Sequence, residues 1–553
     1  MHLYPTRTSS HVAVAGSVVL GVGLAAQEPA IVGWGGALLV AVALARTVTL
    51  LSVARIRAAG FEMLWSGSRR VTRTARGNTI ELAAEVRNRD TLAARYVKLR
   101  AVASTQLDVR IEPSAGEVAA SGRLKVRVLV TAPRVGLHGL HGLALEVRGA
   151  SGMFEVPLTF ANPYGVEVLP RSLATYLLEP RGGRSRLAAT AGRAGRVRGE
   201  GSDLRELREH QPGDPFRRIA WKASARRGVL LVREFEREER DVVWIVLDAS
   251  VELWAGPLGR APLDLAIDEA ASVATRHLAR GDRVGLTVVA TGNRATVPPG
   301  LGPSQGHRIV QALLAATACH DADRSDLDEL DVAVRVLEHL RPLDPRGLPD
   351  VRRGDLDKLA VRAEAMRMRA PFPVPSPGGR SMRERVLRRY LAAYGIDSPP
   401  RTEPDRAATS DAIADALIQI ARTKPHASRV HVIGVPPEPR KIDALREGVR
   451  RLARAGVAVT WSTPPFEPGL TPPWDVVAVP PADPSDDPPV APPPALGDAA
   501  EAAGRALSVR ARVAHARGEA ELRRIGVKIL RPRPRQHHVD PGEGGDAVAP
   551  GPA

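Results

Sequence analysis

Val242–Leu247 reads VVWIVL and leads directly into DASVE at Asp248–Glu252. An uninterrupted apolar run of this length is typical of a strand that is buried on both faces, as in a parallel sheet. Amphipathic helical patterns alternate with further apolar runs: RVGLTVVA at 283–290, RVHVIGV at 429–435, VAVTW at 457–461 and VKIL at 527–530. This alternation of strands and helices predicts an α/β domain with a doubly wound parallel sheet.

Two stretches interrupt this pattern. Residues 317–406 are charged and carry helical patterns at 327–340 and 382–394, which indicates an inserted helical subdomain. Residues 464–496 are rich in proline and predict a flexible loop, and the tail at 532–553 is expected to be disordered. The α/β domain is therefore predicted to comprise residues 241–316, 407–463 and 497–531.

The first 57 residues contain two apolar runs, His11–Ala26 and Ala30–Val53, separated by a short polar break. A bilayer span needs about 20 mainly apolar residues, so the pair predicts a transmembrane helical hairpin rather than a cleaved signal peptide. Basic residues flank both ends and only Glu28 lies in the break, which places both ends and all later residues on the cytoplasmic side of the inner membrane. The flanking basic residues are Arg7, Arg46, Arg55, Arg57, Arg69 and Arg70.

Residues 64–170 show short runs in which apolar and polar residues alternate, among them TIELAAEVRN at 79–88 and RLKVRVLVTA at 123–132. Period-two alternation between turn residues predicts an antiparallel β-sandwich. ANPYG at 161–165 is interpreted as a turn before the last strand. Residues 171–240 are then a linker that holds the most distinctive motif of the chain.

The composition limits the classes of partner. The formal charge of +17 (78 basic and 61 acidic residues) suits a nucleic acid or an anionic membrane. However, the arginines are scattered among acidic residues through the whole chain, so nucleic-acid binding is the minority hypothesis. Cys319 is the single cysteine, which excludes an internal disulfide framework and a cysteine-based zinc cluster.

Leu207–Gly228 reads LREHQPGDPFRRIAWKASARRG, and a strand pattern follows it. Together with the flanking domains, this segment resembles the bacterial family catalogued as domain of unknown function 58. His210 stands where that family commonly has an aromatic residue. The matching elements are Leu207-Arg208 (or Leu204-Arg205 just before it), Pro212-Gly213-Asp214, Arg218-Ile219, Trp221 and Ser224-Ala225-Arg226.

The resemblance implies a von Willebrand factor A-like α/β domain and a role beside MoxR-type AAA+ ATPases. The expected function is thus a non-enzymatic, membrane-anchored interaction or assembly platform. Its partners would be the ATPase and other von Willebrand factor A-type membrane proteins. The expected docking surface is the top of the α/β domain, at Asp248, Ser250 and Thr409.

The same resemblance implies a Mg²⁺ site at the carboxyl ends of the strands, built from a DxSxS loop, a distant Thr and a distant Asp. Asp248 and Ser250 match the loop, and Glu252 replaces its second Ser. Thr409 matches the distant Thr, whereas Gly434-Val435 stands where the Asp is usual. We expect either a degenerate Mg²⁺ site or an Asp248 that only caps backbone N–H groups.

Two interpretations of the signature segment stay open. In the first it is an interdomain joint: a Pro212-Gly213-Asp214 turn, a buried Trp221 beside Ile219, and Arg208, Arg218 and Arg226 paired with carboxylates across the joint. In the second, Asp214, Ser224 and His210 form a hydrolase site. GPSQG at 302–306 matches the GxSxG motif of the nucleophile elbow in hydrolases. We discount it because that motif needs a strand directly before it, whereas Pro298-Pro299-Gly300 precedes it here.

Overall fold

The computed structural model of the chain describes residues 4–59, 61–67, 69–91, 93–148, 152–178, 193–212, 214–239, 241–344, 354–437, 441–465 and 495–530. Gly213, most of the predicted Pro-rich loop and the predicted disordered tail lie outside these residues. The predictions made for them therefore stay predictions.

The N-terminal region is a helical hairpin. After a two-residue strand the chain forms two helices that are long and apolar enough to cross a membrane and that could anchor it there. A Cβ atom added at Gly23 would lie 2.6 Å from the Val32 nitrogen, and one at Gly35 would lie 2.4 Å from the Leu20 nitrogen, so glycine allows the helices to pack closely. The elements are β1 (Tyr4–Pro5), α1 (Arg7–Ala26) and α2 (Pro29–Ala59).

Two sheets follow, and their facing sides share one apolar core. One sheet has the order β2-β4-β8-β6 and the other β1-β10-β9-β5-β7, with β3 paired in parallel to β10 and the remaining pairs antiparallel. Alternate residues of one sheet, such as Val126 and Val128, pack with Leu143 and Leu145 of the other. The strands are β2 (Phe61–Trp65), β3 (Val71–Ala75), β4 (Thr79–Asn88), β5 (Ala94–Ala103), β6 (Asp108–Glu112), β7 (Ala115–Val118), β8 (Arg123–Thr131), β9 (Gly136–Arg148) and β10 (Phe154–Leu169).

The turn predicted at ANPYG is wrong, because residues 161–165 lie inside β10. The register of β10 against β9 shifts between Ala161 and Tyr164, which marks a bulge. Asn162 uses both its backbone and its side chain there, accepting from Trp65 Nε1 at 2.8 Å and donating to the Met63 carbonyl at 3.1 Å. Asn and Pro suit a bulge as well as a turn, so their presence does not separate the two.

A short helix and a two-stranded antiparallel ribbon connect these sheets to the α/β region. The ribbon pairs Ala194 with Glu238 and Glu209 with Leu231. Its tip carries a one-turn 3-10 helix at Phe216–Arg218 and a short α-helix. The elements are α3 (Arg171–Leu178), β11 (Arg193–Glu209), α4 (Trp221–Arg227) and β12 (Leu231–Glu239).

The predicted strand at 242–247 is the centre of the third large sheet. It is followed by a 3-10 turn at Val251–Trp254 and by a helix that returns across the sheet. The elements of this half are β13 (Val242–Asp248), α5 (Pro262–Ala279), β14 (Arg283–Val289), β15 (Asn293–Gly300) and α6 (Gly302–Ala316).

Three helices with a core of their own follow. They are α7 (Glu329–Leu343), α8 (Leu356–Arg367) and α9 (Met382–Tyr394). Sequence patterns predicted the first and the third but not α8, whose seven apolar residues out of twelve include an exposed Val361 and so do not mark its buried face clearly. His339 of α7 contacts His141 of β9, with 3.1 Å between the ring nitrogens, so this region packs against the first part of the chain.

The chain then completes the sheet with α10 (Arg406–Arg422), β16 (Arg429–Ile433), α11 (Ile442–Arg454), β17 (Ala458–Ser462), α12 (Ala495–Arg524) and β18 (Lys528–Leu530). The strand order is β15-β14-β13-β16-β17-β18, and all pairs are parallel except that of β14 with β15. Ile245 and Leu247 pack with α5 and α6, whereas Trp244 and Val246 pack with α10 and α11. Both faces of β13 are therefore covered, which explains its unbroken apolar run.

Candidate functional site

The signature segment closes the end of the β11–β12 ribbon, and we call the described residues from Leu207 to Leu231 the signature tip. The His210 N–H donates to the Leu230 carbonyl at 2.8 Å, and the Ala220 N–H donates to the Leu231 carbonyl at the same distance. Ile219 forms a bridge with Val232 and is only 3% exposed. These contacts fold the tip back on its own ribbon.

Arg208 and Asp214 form a bidentate ion pair inside the tip. Arg208 Nη1 lies 2.7 Å from Asp214 Oδ2, and Nη2 lies 2.6 Å from Oδ1. The Gln211 N–H also donates to Asp214 Oδ2 at 2.8 Å. The hydrogen bonds from Arg208, followed by that from Gln211, lower the pKa of Asp214 to about 2. This carboxylate is therefore held ionised between the Arg208 guanidinium and the Gln211 backbone, an arrangement unsuited to a general base at neutral pH.

Ser224 links α4 to β12. Its buried Oγ donates to the Ala220 carbonyl at 3.1 Å and accepts from the Leu231 N–H at 2.9 Å. The hydroxyl proton is thus given to a backbone carbonyl and not to His210, whose ring stacks near Phe216 with 6.2 Å between centroids. The geometry assigns Ser224 to the structure of the tip and does not assemble the nucleophile and base of the hydrolase hypothesis.

The aromatic residues of the tip point outward. Trp221 is 62% exposed and Phe216 is 75% exposed, so the expectation that Trp221 is buried beside Ile219 is wrong. Trp221 begins α4, a helix of seven residues, and the buried side of the helix is taken by Ser224 and the preceding Ala220. The exposed apolar side chains are Leu207, Phe216, Trp221, Val229 and Leu230, and the exposed basic ones include Arg217, Lys222, Arg226 and Arg227.

The contact between the first sheets and the α/β region lies elsewhere. Arg134, just after β8, pairs with Asp264 of α5, and Arg76 pairs with Asp268 at 3.0 Å. Arg208, which was expected to pair with a carboxylate across the joint, instead pairs with Asp214 inside the tip. The joint interpretation is therefore corrected for Arg208 and for the exposed Trp221, whereas the pairing expected of Arg218 and Arg226 stays a prediction.

Asp248 lies at the carboxyl end of β13 and is fully buried. Its Oδ1 accepts from the Ser250 N–H at 2.8 Å and its Oδ2 accepts from the Val435 N–H at 3.2 Å. Burial, which outweighs these hydrogen bonds, raises the pKa of the carboxyl to about 6, with a smaller contribution from the charge of Glu252. Asp248 thus links the end of β13 to the loop after β16.

Glu252, the residue expected to replace the second loop Ser, is bound by a cation. Arg406 Nε lies 2.7 Å from Glu252 Oε2, and the Arg406 Nη2 contacts Oε1. His515 Nε2 lies 3.2 Å from the same Arg406 nitrogen. The guanidinium therefore contacts both oxygens of the Glu252 carboxylate, where a metal ion would have to bind.

The other expected ligands do not complete a Mg²⁺ site. Thr409 lies in the first turn of α10, where its hydroxyl donates to the Asp405 carbonyl at 3.0 Å. A Cβ atom at Gly434 would lie 2.3 Å from Asp248 Cβ, so the missing acid has no room there. Among the described residues no group of three or more His, Cys, Asp or Glu side chains could hold a metal ion. The residues present do not fit Mg²⁺, which needs several well-placed oxygen ligands.

The reason given for discounting GPSQG also needs correction. β15 extends to Gly300 and α6 begins at Gly302, so a strand does precede the motif. The left-handed backbone conformation lies at Gly302 (φ 70°), and Ser304 is exposed in the first turn of the helix. In a nucleophile elbow the strained position is that of the serine itself, so the geometry differs from an elbow.

Known proteins resemble parts of this chain. Three curated relatives, one from Mycobacterium bovis and two from Mycobacterium tuberculosis, are each called an uncharacterized protein and are 29% identical over 154 residues. The match covers 28% of this chain and 47% of each relative, so the chain spans about half the length of the curated relatives it matches.

Among solved structures, the ASH/PapD-like domain 7 of human CEP192 has a TM-score of 0.16 and 16% identity over 20% of this chain and 86% of that chain. The FixG-related protein of Vibrio parahaemolyticus has a TM-score of 0.14 and 8% identity over 19% of this chain and 93% of that chain. A family model described as "Protein of unknown function DUF58" matches residues 206–346. This range holds the signature tip and the strands β13 to β15, and it confirms for these residues the resemblance found in the sequence. Residues 206–346 are therefore a domain of the DUF58 family.

Proposed function

We propose that this chain is a membrane-anchored, cytoplasm-facing interaction or assembly platform that works with a MoxR-type AAA+ ATPase and other von Willebrand factor A-type membrane proteins. The two apolar N-terminal helices supply the proposed anchor. The parallel sheet with helices on both faces supports a von Willebrand factor A-like domain, and the two antiparallel sheets around one core support a β-sandwich.

The observation that carries the proposal is the exposed apolar surface of the signature tip. Clustered exposed apolar side chains on a soluble domain mark interaction sites, because leaving them in water is unfavourable. Trp, Phe and Arg are also enriched where proteins bind proteins. The tip presents Trp221 and Phe216, whereas its Arg208–Asp214 pair and its Ser224 hydroxyl are engaged within the tip itself.

The charges at the tip favour an acidic partner surface. Arg217, Lys222, Arg226 and Arg227 are exposed around the aromatic residues, whereas Asp214 is neutralised by Arg208. Complementary charge accelerates encounter and selects among partners. We propose that the ATPase docks on the tip, and not at Asp248, Ser250 and Thr409, because all three of those side chains are buried.

The experiment is affinity purification of the full chain from detergent-solubilised membranes, followed by direct binding of the purified MoxR-type ATPase. A Phe216→Ser/Trp221→Ser variant tests the tip. A Val361→Ser/Met368→Ser variant is the matched control, since these side chains are 73% and 79% exposed on or next to α8, outside the tip.

The wild type and the control should retain the ATPase, and the tip variant should lose it while its melting temperature is unchanged. The proposal fails if the wild type recovers no AAA+ ATPase. The assignment to the tip fails if both double variants bind the ATPase equally well.

A further inference from the structure

The signature tip stands at the end of a long two-stranded arm. β11 and β12 pair with each other from Arg193 and Glu239 at one end to Glu209 and Leu231 at the other. Among the described residues, the main contacts of these strands are with each other and with the two short helices of the tip. A two-stranded ribbon by itself is marginally stable in water and gains stability when it packs against a further surface.

The outer face of α4 combines an aromatic residue with basic ones. Trp221, Lys222 and Arg226 lie within an arc of about 140° around this helix. Ser224 lies on the opposite side, where its hydroxyl accepts from the Leu231 N–H at 2.9 Å. Tryptophan is enriched at the interface between membrane and water, and the long basic side chains beside it reach lipid headgroups. The outer face therefore has the composition of a surface that lies on lipid.

The charge of the tip favours an anionic lipid surface. Residues 207–231 contain six basic and two acidic residues. One of the two acids, Asp214, is bound by Arg208, which leaves Glu209 as the other. Clusters of four to eight Lys and Arg beside a membrane bind the anionic lipids of its cytoplasmic leaflet. The basic tip is thus complementary in charge to that leaflet.

The arm is long enough to reach the membrane. β1 directly precedes the first apolar helix, and its Tyr4 pairs with Glu155 at the start of β10. β10 then runs for 16 residues, or about 50 Å, to Leu169, beyond which α3 packs against α5 and α6. The arm starts at this α/β region, since β12 ends two residues before Asp241, and β11 has 17 residues and a similar length. It can therefore span the distance back to the bilayer.

We infer that, before the ATPase binds, the tip rests on the anionic lipid surface of the membrane that holds the N-terminal helices. Phe216 and Trp221 then lie among the headgroups, and the basic side chains around them lie against lipid phosphates. The inference rests on the proposed function, from which it takes the membrane anchor and the place where the ATPase docks. It adds a regulation, because lipid and ATPase compete for the same side chains.

The test uses the full chain in nanodiscs of phosphatidylcholine alone or of equal parts of phosphatidylcholine and phosphatidylglycerol. In a Cys319→Ser background, Val229→Cys carries the fluorophore NBD at the tip, and Val361→Cys on α8 is the control position, since both valines are exposed. A lipid with a nitroxide near its headgroup quenches a fluorophore that lies on the bilayer. The tip label should be quenched in the anionic discs and not in the neutral ones, and the control label in neither.

Charge and aromatic variants separate the two parts of the contact. Arg226→Gln/Arg227→Gln should lower the equilibrium constant for lipid contact about 30-fold, as expected for the loss of two cations near an anionic surface. This constant is measured from the quenched fraction over a series of phosphatidylglycerol contents. Phe216→Ser/Trp221→Ser and about 1 M KCl should each relieve the quenching, because salt screens the charges to about 3 Å. Arg446→Gln on α11 is the matched charge control and should change nothing.

Addition of the purified ATPase should relieve the quenching of the tip label. Absence of quenching, equal quenching in the two lipids, or quenching that the arginine variant leaves unchanged would overturn the lipid contact. Binding of the ATPase without relief of the quenching would overturn the competition. If the ATPase binds a tip that lipid never quenches, only this inference fails; if quenching follows the charges and no ATPase binds, the proposed function fails and the lipid contact stands.

Discussion

Arg134 and Asp264 form a bidentate ion pair that is excluded from solvent. Arg134 Nε lies 2.9 Å from Asp264 Oδ1 and its Nη2 lies 3.1 Å from Oδ2, and the two side chains are at most 1% exposed. The guanidinium also stacks over Trp254, 4.8 Å from the ring centroid. Asp264 accepts as well from the N–H groups of Gly259 and Ala261. One ion pair thus holds the end of β8 against the start of α5.

We expect Arg134→Ala to lower the free energy of unfolding by about 3–5 kcal/mol, because it leaves the Asp264 carboxylate buried without its cation. Urea denaturation of the full chain in detergent measures this. Arg446→Ala is the control, since its pair with Asp443 is exposed and contributes little. Equal losses in the two variants would contradict a structural role for the Arg134 pair.

Substitution of an exposed and of a buried apolar residue in the signature tip should change the free energy of unfolding by different amounts. Trp221→Ser is expected to change the free energy of unfolding by less than about 0.5 kcal/mol, because the indole lies largely in water. Ile219→Ala should destabilise the tip by about 2–4 kcal/mol, because the side chain is 3% exposed. Hydrogen exchange of the Leu231 amide reports this local loss, and the two variants behaving alike would refute the assigned orientations.

The sequence predicted the strands that are buried on both faces, because a short unbroken apolar run such as Val242–Leu247 is typical of a strand covered on both sides. Helix bounds were also close where the caps are clear, as at α9, where Ser381 accepts from the Glu384 N–H. The strand pattern after the signature segment corresponds to β12, but its partner β11 was missed because most of its residues are charged or glycine and show no alternation. The two strands pair with each other along the ribbon.

The candidate site was predicted less well, for a physical reason. A motif states which residue types are present but not which partners they meet. The motif predicts Glu252 as a metal ligand, but in the structure Arg406 binds it. The sequence does not show this contact, because the two residues are 154 positions apart in the chain. Trp221 is predicted as a core residue because tryptophan is usually largely buried. In the structure, the buried side of the short helix α4 is occupied by Ser224, and Trp221 lies on the exposed side.

The Arg208–Asp214 pair should make the tip sensitive to acid. The pKa of Asp214 is lowered to about 2 in the folded tip, so its contribution to stability is present above the ordinary value of 3.8 and is lost as the pH falls from there towards 2. The protection factor of the Gln211 amide, which compares its exchange rate with the intrinsic rate at the same pH, should therefore fall in this range. Asp214→Asn should show low protection at all pH values, and a wild-type protection factor that is constant between pH 4 and 2 would count against the pair.

Placing an acid at Gly434, where the sequence resemblance implies a metal-binding Asp, should not create a Mg²⁺ site. The Cβ of Gly434→Asp would lie 2.3 Å from Asp248 Cβ, and its carboxylate would sit beside a buried one. We expect a loss of at least about 1–3 kcal/mol from overpacking alone. Millimolar Mg²⁺ should leave the melting temperature of both proteins unchanged, and a rise in either relative to an EDTA control would contradict this expectation.

Asp248 should make the α/β domain less stable as the pH rises. Burial raises its pKa to about 6, above the ordinary 3.8, so the protonated form is favoured in the folded chain. The resulting contribution to stability is complete below the ordinary pKa and is lost as the pH rises through about 6, by an amount on the order of 3 kcal/mol. Asp248→Asn cannot ionise and lacks this dependence. The wild type should therefore lose stability relative to the variant as the pH rises from 4 to 7. Parallel stability profiles of the two proteins would show that the carboxyl does not titrate in this range.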